Sequence, residues 1–244
     1  MNEKKLDIDR HIEKGIEIYN QNVGLKYAIN QIPIVGFFID QLLANTGREI
    51  QQRRLMETIK ILHELIDKID KTKVDYEFLA SEEFDDLIVK AFQNSVDTRH
   101  KERIRLNCKI LAGSILIENR DIRYSAEDLL VLVSDLTPTD LKVASEIYKQ
   151  QKGRPEKFNI EVEGSNEMAF VIKSGWDSLQ KSCGLNESDF VLSLHKLSNA
   201  NLVKQIVGMF PGNMGDKYII TPTFQRLMSI ISYSNEPIFI NKLD

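Results

Sequence analysis

The chain has little of what metalloenzymes, redox proteins and secreted proteins display. Among its 244 residues there are two cysteines, one tryptophan, six prolines and four histidines. Cys108 and Cys183 sit far apart inside apolar helical patterns, which excludes a disulfide framework and a Cys-x-x-Cys site. They read as buried thiols acting as small hydrophobes in a reducing compartment. The histidines His11, His63, His100 and His195 stand singly on separate predicted helices, so no His-x-x-x-His or Glu-x-x-His metal pair arises. There is no Gly-rich phosphate loop. The arginine-to-histidine spacing of helical ribonucleases is missing too, since Arg54 and His63 lie too far apart and Arg99 directly precedes His100. No catalytic residue, metal ligand, cofactor or small-molecule substrate is expected, and the chain reads as non-enzymatic.

Long apolar runs and an excess of positive charge are also missing. The start, Met1-Asn2-Glu3-Lys4-Lys5-Leu6-Asp7, lacks an apolar signal core. No run approaches the roughly 18 apolar residues of a membrane-spanning helix, so a cytoplasmic protein is expected. The formal charge of −4 argues against a general polyanion binder. Residues 137–244 carry 12 basic and 12 acidic side chains, which leaves that part neutral.

What is present is helical periodicity. Ile8, Ile12, Ile16 and Tyr19 predict an amphipathic helix over 6–21. The most apolar stretch follows, over 24–40, with a break at Pro33, which lacks an N–H and clashes with the preceding turn. Ile34, Phe37 and Phe38 in that stretch are candidate contacts for a membrane surface or a partner. A run this short more often forms a core helix. A heptad-like seam of Leu55, Ile59, Leu62, Ile66 and Ile69 predicts one long helix over 48–71. Ser81 should cap a helix with the stripe Phe84, Leu87, Ile88, Ala91 and Phe92. Asp97 is expected to cap the next, with the stripe Ile104, Cys108, Leu111 and Ile115 and a basic outer side from Arg99 to Arg105. That basic side reads as a solvated helix face. Residues 129–133 are apolar all round, which suggests a central helix.

Residues 137–244 follow the order of a winged-helix unit. Thr137-Pro138-Thr139-Asp140 starts a helix, with Thr as cap and Pro at the first helical position. A β-branched run over 169–173 predicts a strand. Trp176, Leu179 and Cys183 mark a second helix, and Asn186 should cap a third bearing Phe190, Leu194 and Leu197. Strands over 203–207 and 218–220 around the Gly/Pro-rich segment 208–216 would form the wing, Thr221-Pro222 opens a last helix, and Ile238 and Phe239 would pack a tail. The fold class expected is therefore mainly α, with an N-terminal helical bundle over 1–136 and a C-terminal winged-helix (α+β) domain over 137–244.

The candidate DNA-contacting side chains are Ser193, His195, Lys196 and Asn199 on the third helix and Lys217 in the wing, since a reading helix needs donors that reach base edges. Glu187 and Asp189 precede them and would repel phosphate. This balance favours protein contact or self-association, with DNA and a membrane surface as alternative partners.

Three stretches resemble bacterial proteins of the abortive-infection alpha type. They are Ile32-Pro33-Ile34-Val35-Gly36, the helix pair from Ser81-Glu82-Glu83-Phe84 to Arg99-His100-Lys101-Glu102-Arg103, and the junction Leu136-Thr137-Pro138-Thr139-Asp140-Leu141. The chain departs from that family's tryptophan-bearing central helix, having Asn107-Cys108-Lys109-Ile110-Leu111 there. The resemblance implies a role in prokaryotic phage defence and carries over no catalytic residues.

Overall fold

The structure is a computed structural model that describes residues 49–152, 176–206 and 217–233. The helices expected over 6–44, with Ile34, Phe37 and Phe38, lie outside the described residues. So do the strand expected over 169–173, the wing segment 208–216, and Ile238 and Phe239. What is described is mainly helical and divides into two compact units. The first runs to Ser134 and takes in the chain again from Ile230; the second runs from Asp135 to Ser229.

In the first unit, α1 (Glu49–Ile66) buries Leu55, Thr58, Ile59, Leu62 and Leu65, a stripe at three- and four-residue spacing. It ends five residues short of the expected Lys71. The Asp70 carboxylate accepts from the Thr72 backbone N–H and hydroxyl at 3.0 and 2.8 Å, and so caps a 3-10 turn, Lys71–Lys73. A short polar side chain that bonds its own backbone competes with helix continuation. Ile69 stays buried although it has left the helix.

A single turn, α2 (Tyr76–Leu79), is capped by Asp75, and α3 (Glu82–Asp97) by Ser81, whose hydroxyl accepts from the Phe84 N–H at 3.2 Å. Asp97 does not cap the following helix, as expected from sequence; it closes α3, because Ser95 and Val96 extend the buried stripe to that point. The break is Thr98-Arg99-His100, where the Thr98 hydroxyl accepts from the His100 N–H at 3.2 Å. His100 takes the cap position of α4 (Lys101–Ser114) without a side-chain bond.

The central element of this unit is α4, buried without interruption from Leu106 to Ser114, polar Asn107 and Lys109 included. That place was expected for the 129–133 helix. In α5 (Ala126–Ser134) the side chains of Leu129, Leu130 and Val133 are buried, while Val131 is 46% exposed. Long-range bonds join the bundle. Arg54 donates to the Val96 carbonyl at 2.8 Å, Asn94 to that of Leu130 at 2.9 Å, and Arg103 to that of Ser134.

The second unit opens with α6 (Pro138–Lys152) on a reciprocal capping box. The Asp140 carboxylate accepts from the Thr137 N–H and hydroxyl at 2.8 and 2.7 Å, and the Asp140 N–H donates to the Thr137 hydroxyl at 3.3 Å. Leu141, Ala144 and Ile147 are buried, and Tyr148 meets Phe224 edge to face with ring centres 6.5 Å apart. Gly184, at φ 64°, ends α7 (Trp176–Cys183) in the left-handed region. Asn186 then caps α8 (Glu187–Asn199) by accepting from the Asp189 N–H at 2.9 Å.

After α8 the chain turns through Asn201 at φ 52°, and the Leu202 N–H returns to the Leu197 carbonyl at 2.9 Å. The strands β1 (Val203–Ile206) and β2 (Lys217–Ile220) pair antiparallel, with Val203 opposite Ile220 and Ile206 opposite Lys217. Thr221 caps α9 (Pro222–Ile231). Ile230 belongs to the first unit, where its carbonyl oxygen would lie 1.8 Å from a Cβ placed on Gly113, so that position of α4 admits only glycine without a backbone shift.

Candidate functional site

The sequence candidates concentrate on α8, whose inner face is Phe190, Ser193, Leu194 and Leu197. With 3.6 residues per turn, these positions define one stripe and turn Ser188, Leu192, His195 and Asn199 outward. Ser193 is thus displaced from its expected place: it is 2% exposed and faces the core, out of reach of any DNA. His195 and Asn199 are exposed as expected.

Lys196 is half engaged. Its ammonium lies 3.5 Å from the buried Asp140 carboxylate, with 38% of the side chain exposed. Asp140 therefore accepts from both its own helix cap and α8, so part of the positive charge expected to meet a ligand is taken up inside the unit. Lys217 opens β2, away from α8 in sequence and on a strand. The structure brings together His195, Lys196 and Asn199 as one helix end and leaves Ser193 out.

At the other end of α8, Glu187 and Asp189 are exposed, and Asn186 donates to the Asp189 carboxylate at 2.7 Å. Between the two ends lie residues that the sequence reading passed over. Leu192, 54% exposed, is at the centre of the outward face, and Val191, 40% exposed, lies on its flank. The signal was available, because Phe190, Leu194 and Leu197 already set the inner stripe, and positions 191 and 192 fall off it.

In the first unit the densest polar constellation surrounds Asp75. Arg120 and Arg123 both donate to its Oδ2 at 3.0 Å, and the Phe78 N–H donates to Oδ1 at 3.2 Å. Arg123 also donates to the Ser114 carbonyl at 2.8 Å and stacks over the Phe78 ring at 3.8 Å. Arg123 spends Nε, Nη1 and Nη2 inside the fold, and the cluster is a clasp between α2 and the α4–α5 connection. On the basic side, burial lowers the His100 imidazole below its usual value, and Arg103 and Arg99 lower it further.

Both thiols are chemically quiet. Burial raises Cys183 to about 11 and pushes Cys108 further still, so neither supplies a thiolate nucleophile at neutral pH. Among the described residues no group of three or more His, Cys, Asp or Glu side chains is placed to hold a metal ion, and no helix is long and apolar enough to cross a membrane. Comparison with protein-family models, curated proteins and solved structures finds no match for this chain.

Proposed function

We propose that the chain is a non-enzymatic effector that works by protein contact, with the outward face of α8 as its docking surface and prokaryotic phage defence as its setting. The observation that carries the reading is the exposure of Leu192 at the centre of that face, with Val191 on its flank. A base-reading helix places Arg, Lys, Asn or Gln there, and its first turn avoids carboxylates. Here the first turn is acidic and the one lysine leans on Asp140. Large aliphatic side chains ringed by polar ones mark protein interfaces.

The order α6, α7, α8, β1, β2, α9 supports a winged-helix scaffold for this face, the expected strand 169–173 and the wing being outside the described residues. Winged helices serve as platforms as well as DNA readers, so topology alone does not assign the partner. The phage-defence setting rests on the resemblance of three sequence stretches.

Bacteria that express the chain and are challenged with a phage panel should be protected, and Leu192→Asp should remove protection. Purified protein should leave duplex DNA unretarded at low salt. Retardation that is lost on Lys196→Glu would instead establish the DNA-regulator reading, for which the exposure of His195 and Asn199 speaks.

A further inference from the structure

Within the docking reading above, on which this inference rests, we infer that the occupant of the α8 face is the same face of a second copy, paired antiparallel about a two-fold axis at Leu192. The argument is one of charge complementarity along a single helix. The outward stripe Ser188, Leu192, His195 and Asn199 has the spacing of a helix-pairing seam, with the most exposed aliphatic residue of the helix near its middle. The acidic end, Glu187 and Asp189, precedes it, and Lys196 follows it, its side chain 38% exposed and shared with Asp140 at 3.5 Å.

A two-fold axis perpendicular to the helix reverses the second copy, so each acidic end meets a basic end. The helical wheel decides which side chains meet. Asp189 and Lys196 lie on one flank of the stripe, three residues before and four after Leu192. The rotation keeps a flank on its own side, and therefore sets Asp189 of each copy beside Lys196 of the other. Ser188 and His195 are placed in the same way along the other flank. A parallel arrangement would bring like charges together, and reversed helix dipoles add to the preference for the antiparallel one.

Thirteen helical residues span about 20 Å, and one face of that length buries on the order of 400 Å² per copy. A standard stable interface buries about 800 Å² per partner. The pair is accordingly weak and concentration-dependent, a contact that forms when copies accumulate.

Sedimentation velocity of the full chain from micromolar to near-millimolar concentration should show the mean mass rising toward twice that of one chain. Leu192→Asp, with an unchanged circular dichroism spectrum, should hold it at one. Cysteine placement then locates the axis. Leu192→Cys treated with diamide as oxidant should give a disulfide-linked pair. Ser188→Cys and Asn199→Cys should not, because their α-carbons would be displaced by about 12 and 21 Å along the two helices, beyond the roughly 7 Å limit for a disulfide. Cys108 and Cys183 are buried and do not compete.

A chain that stays single at every concentration overturns the inference, as does a pair that links at Asn199 and not at Leu192. The docking reading survives either result if Leu192→Asp still removes protection from phage. It falls separately, with low-salt retardation of DNA.

Discussion

Single side chains carry two of the firmest constraints in this molecule. Burial pushes the Asp75 carboxyl up, but the Phe78 N–H, Arg120 and Arg123 outweigh it and hold the group below the ordinary aspartate value of 3.8. A depressed folded value means that the stabilisation is fully present above the unfolded value and is lost as pH falls through the folded one. Asp75→Asn should therefore cost roughly 2–3 kcal/mol at neutral pH, the scale of lost charge-assisted hydrogen bonds. Its urea midpoint should approach that of the unsubstituted chain as pH falls from the ordinary aspartate value of 3.8 through the lower folded one, where the natural carboxylate is also protonated. Gly113→Ala meets the Ile230 carbonyl at a distance no Cβ tolerates. It should cost about 1–3 kcal/mol, the usual range for overpacking, read as a lowered melting temperature. Neither constraint could be read in the chain: Asp75 and Arg123 are 48 positions apart, and an isolated glycine in a helical pattern gives no sign of what lies against it.

At the scale of elements, local chemistry carried most of the expected structure. Ser81, the Thr137–Asp140 box, Asn186 and Thr221 cap the helices predicted for them, since a cap needs only residues three apart. Asp140→Ala should lower stability by about 1–2 kcal/mol by undoing a cap and stranding Lys196. Lys196→Ala should change it by less than about 0.5 kcal/mol, because that ion pair is long and partly wet. Paired denaturant titrations of the two variants test the asymmetry. Sequence and structure differ where a local polar turn or tertiary burial overrides periodicity. The seam through Ile66 and Ile69 promised a longer α1, but Asp70 turned the chain first. Residues 129–133 looked central, yet α4 takes that place with Asn107 and Lys109 inside, a burial that hydropathy argues against. On α8 periodicity alone suffices, because the inner stripe of Phe190, Leu194 and Leu197 places Ser193 inward and Leu192 outward.

For the whole molecule, charge decides more than topology. A formal charge of −4 for the chain, and 12 basic against 12 acidic side chains over 137–244, give no positive excess to attract phosphate. Fluorescence anisotropy with labelled duplex DNA should show no binding at low ionic strength, and so no salt dependence to measure; a reader making six phosphate contacts would lose about 10³-fold or more in affinity between 50 and 200 mM salt. Legibility ran out at this scale. The sequence shows a switch of pattern near Leu136, but the return of the chain at Ile230 to the first unit has no mark in it, because the last helix pattern runs on through that residue. That return gives Gly113 a meaning in descent as well as in packing. A lineage of this chain is free to drift at exposed positions such as Glu118 and Val131. Any side chain at position 113 would have to move the Ile230 backbone, and Asn119 donates to the Gly113 carbonyl at 2.8 Å, so among the positions named here this glycine is the one where exchange is expected to be rarest.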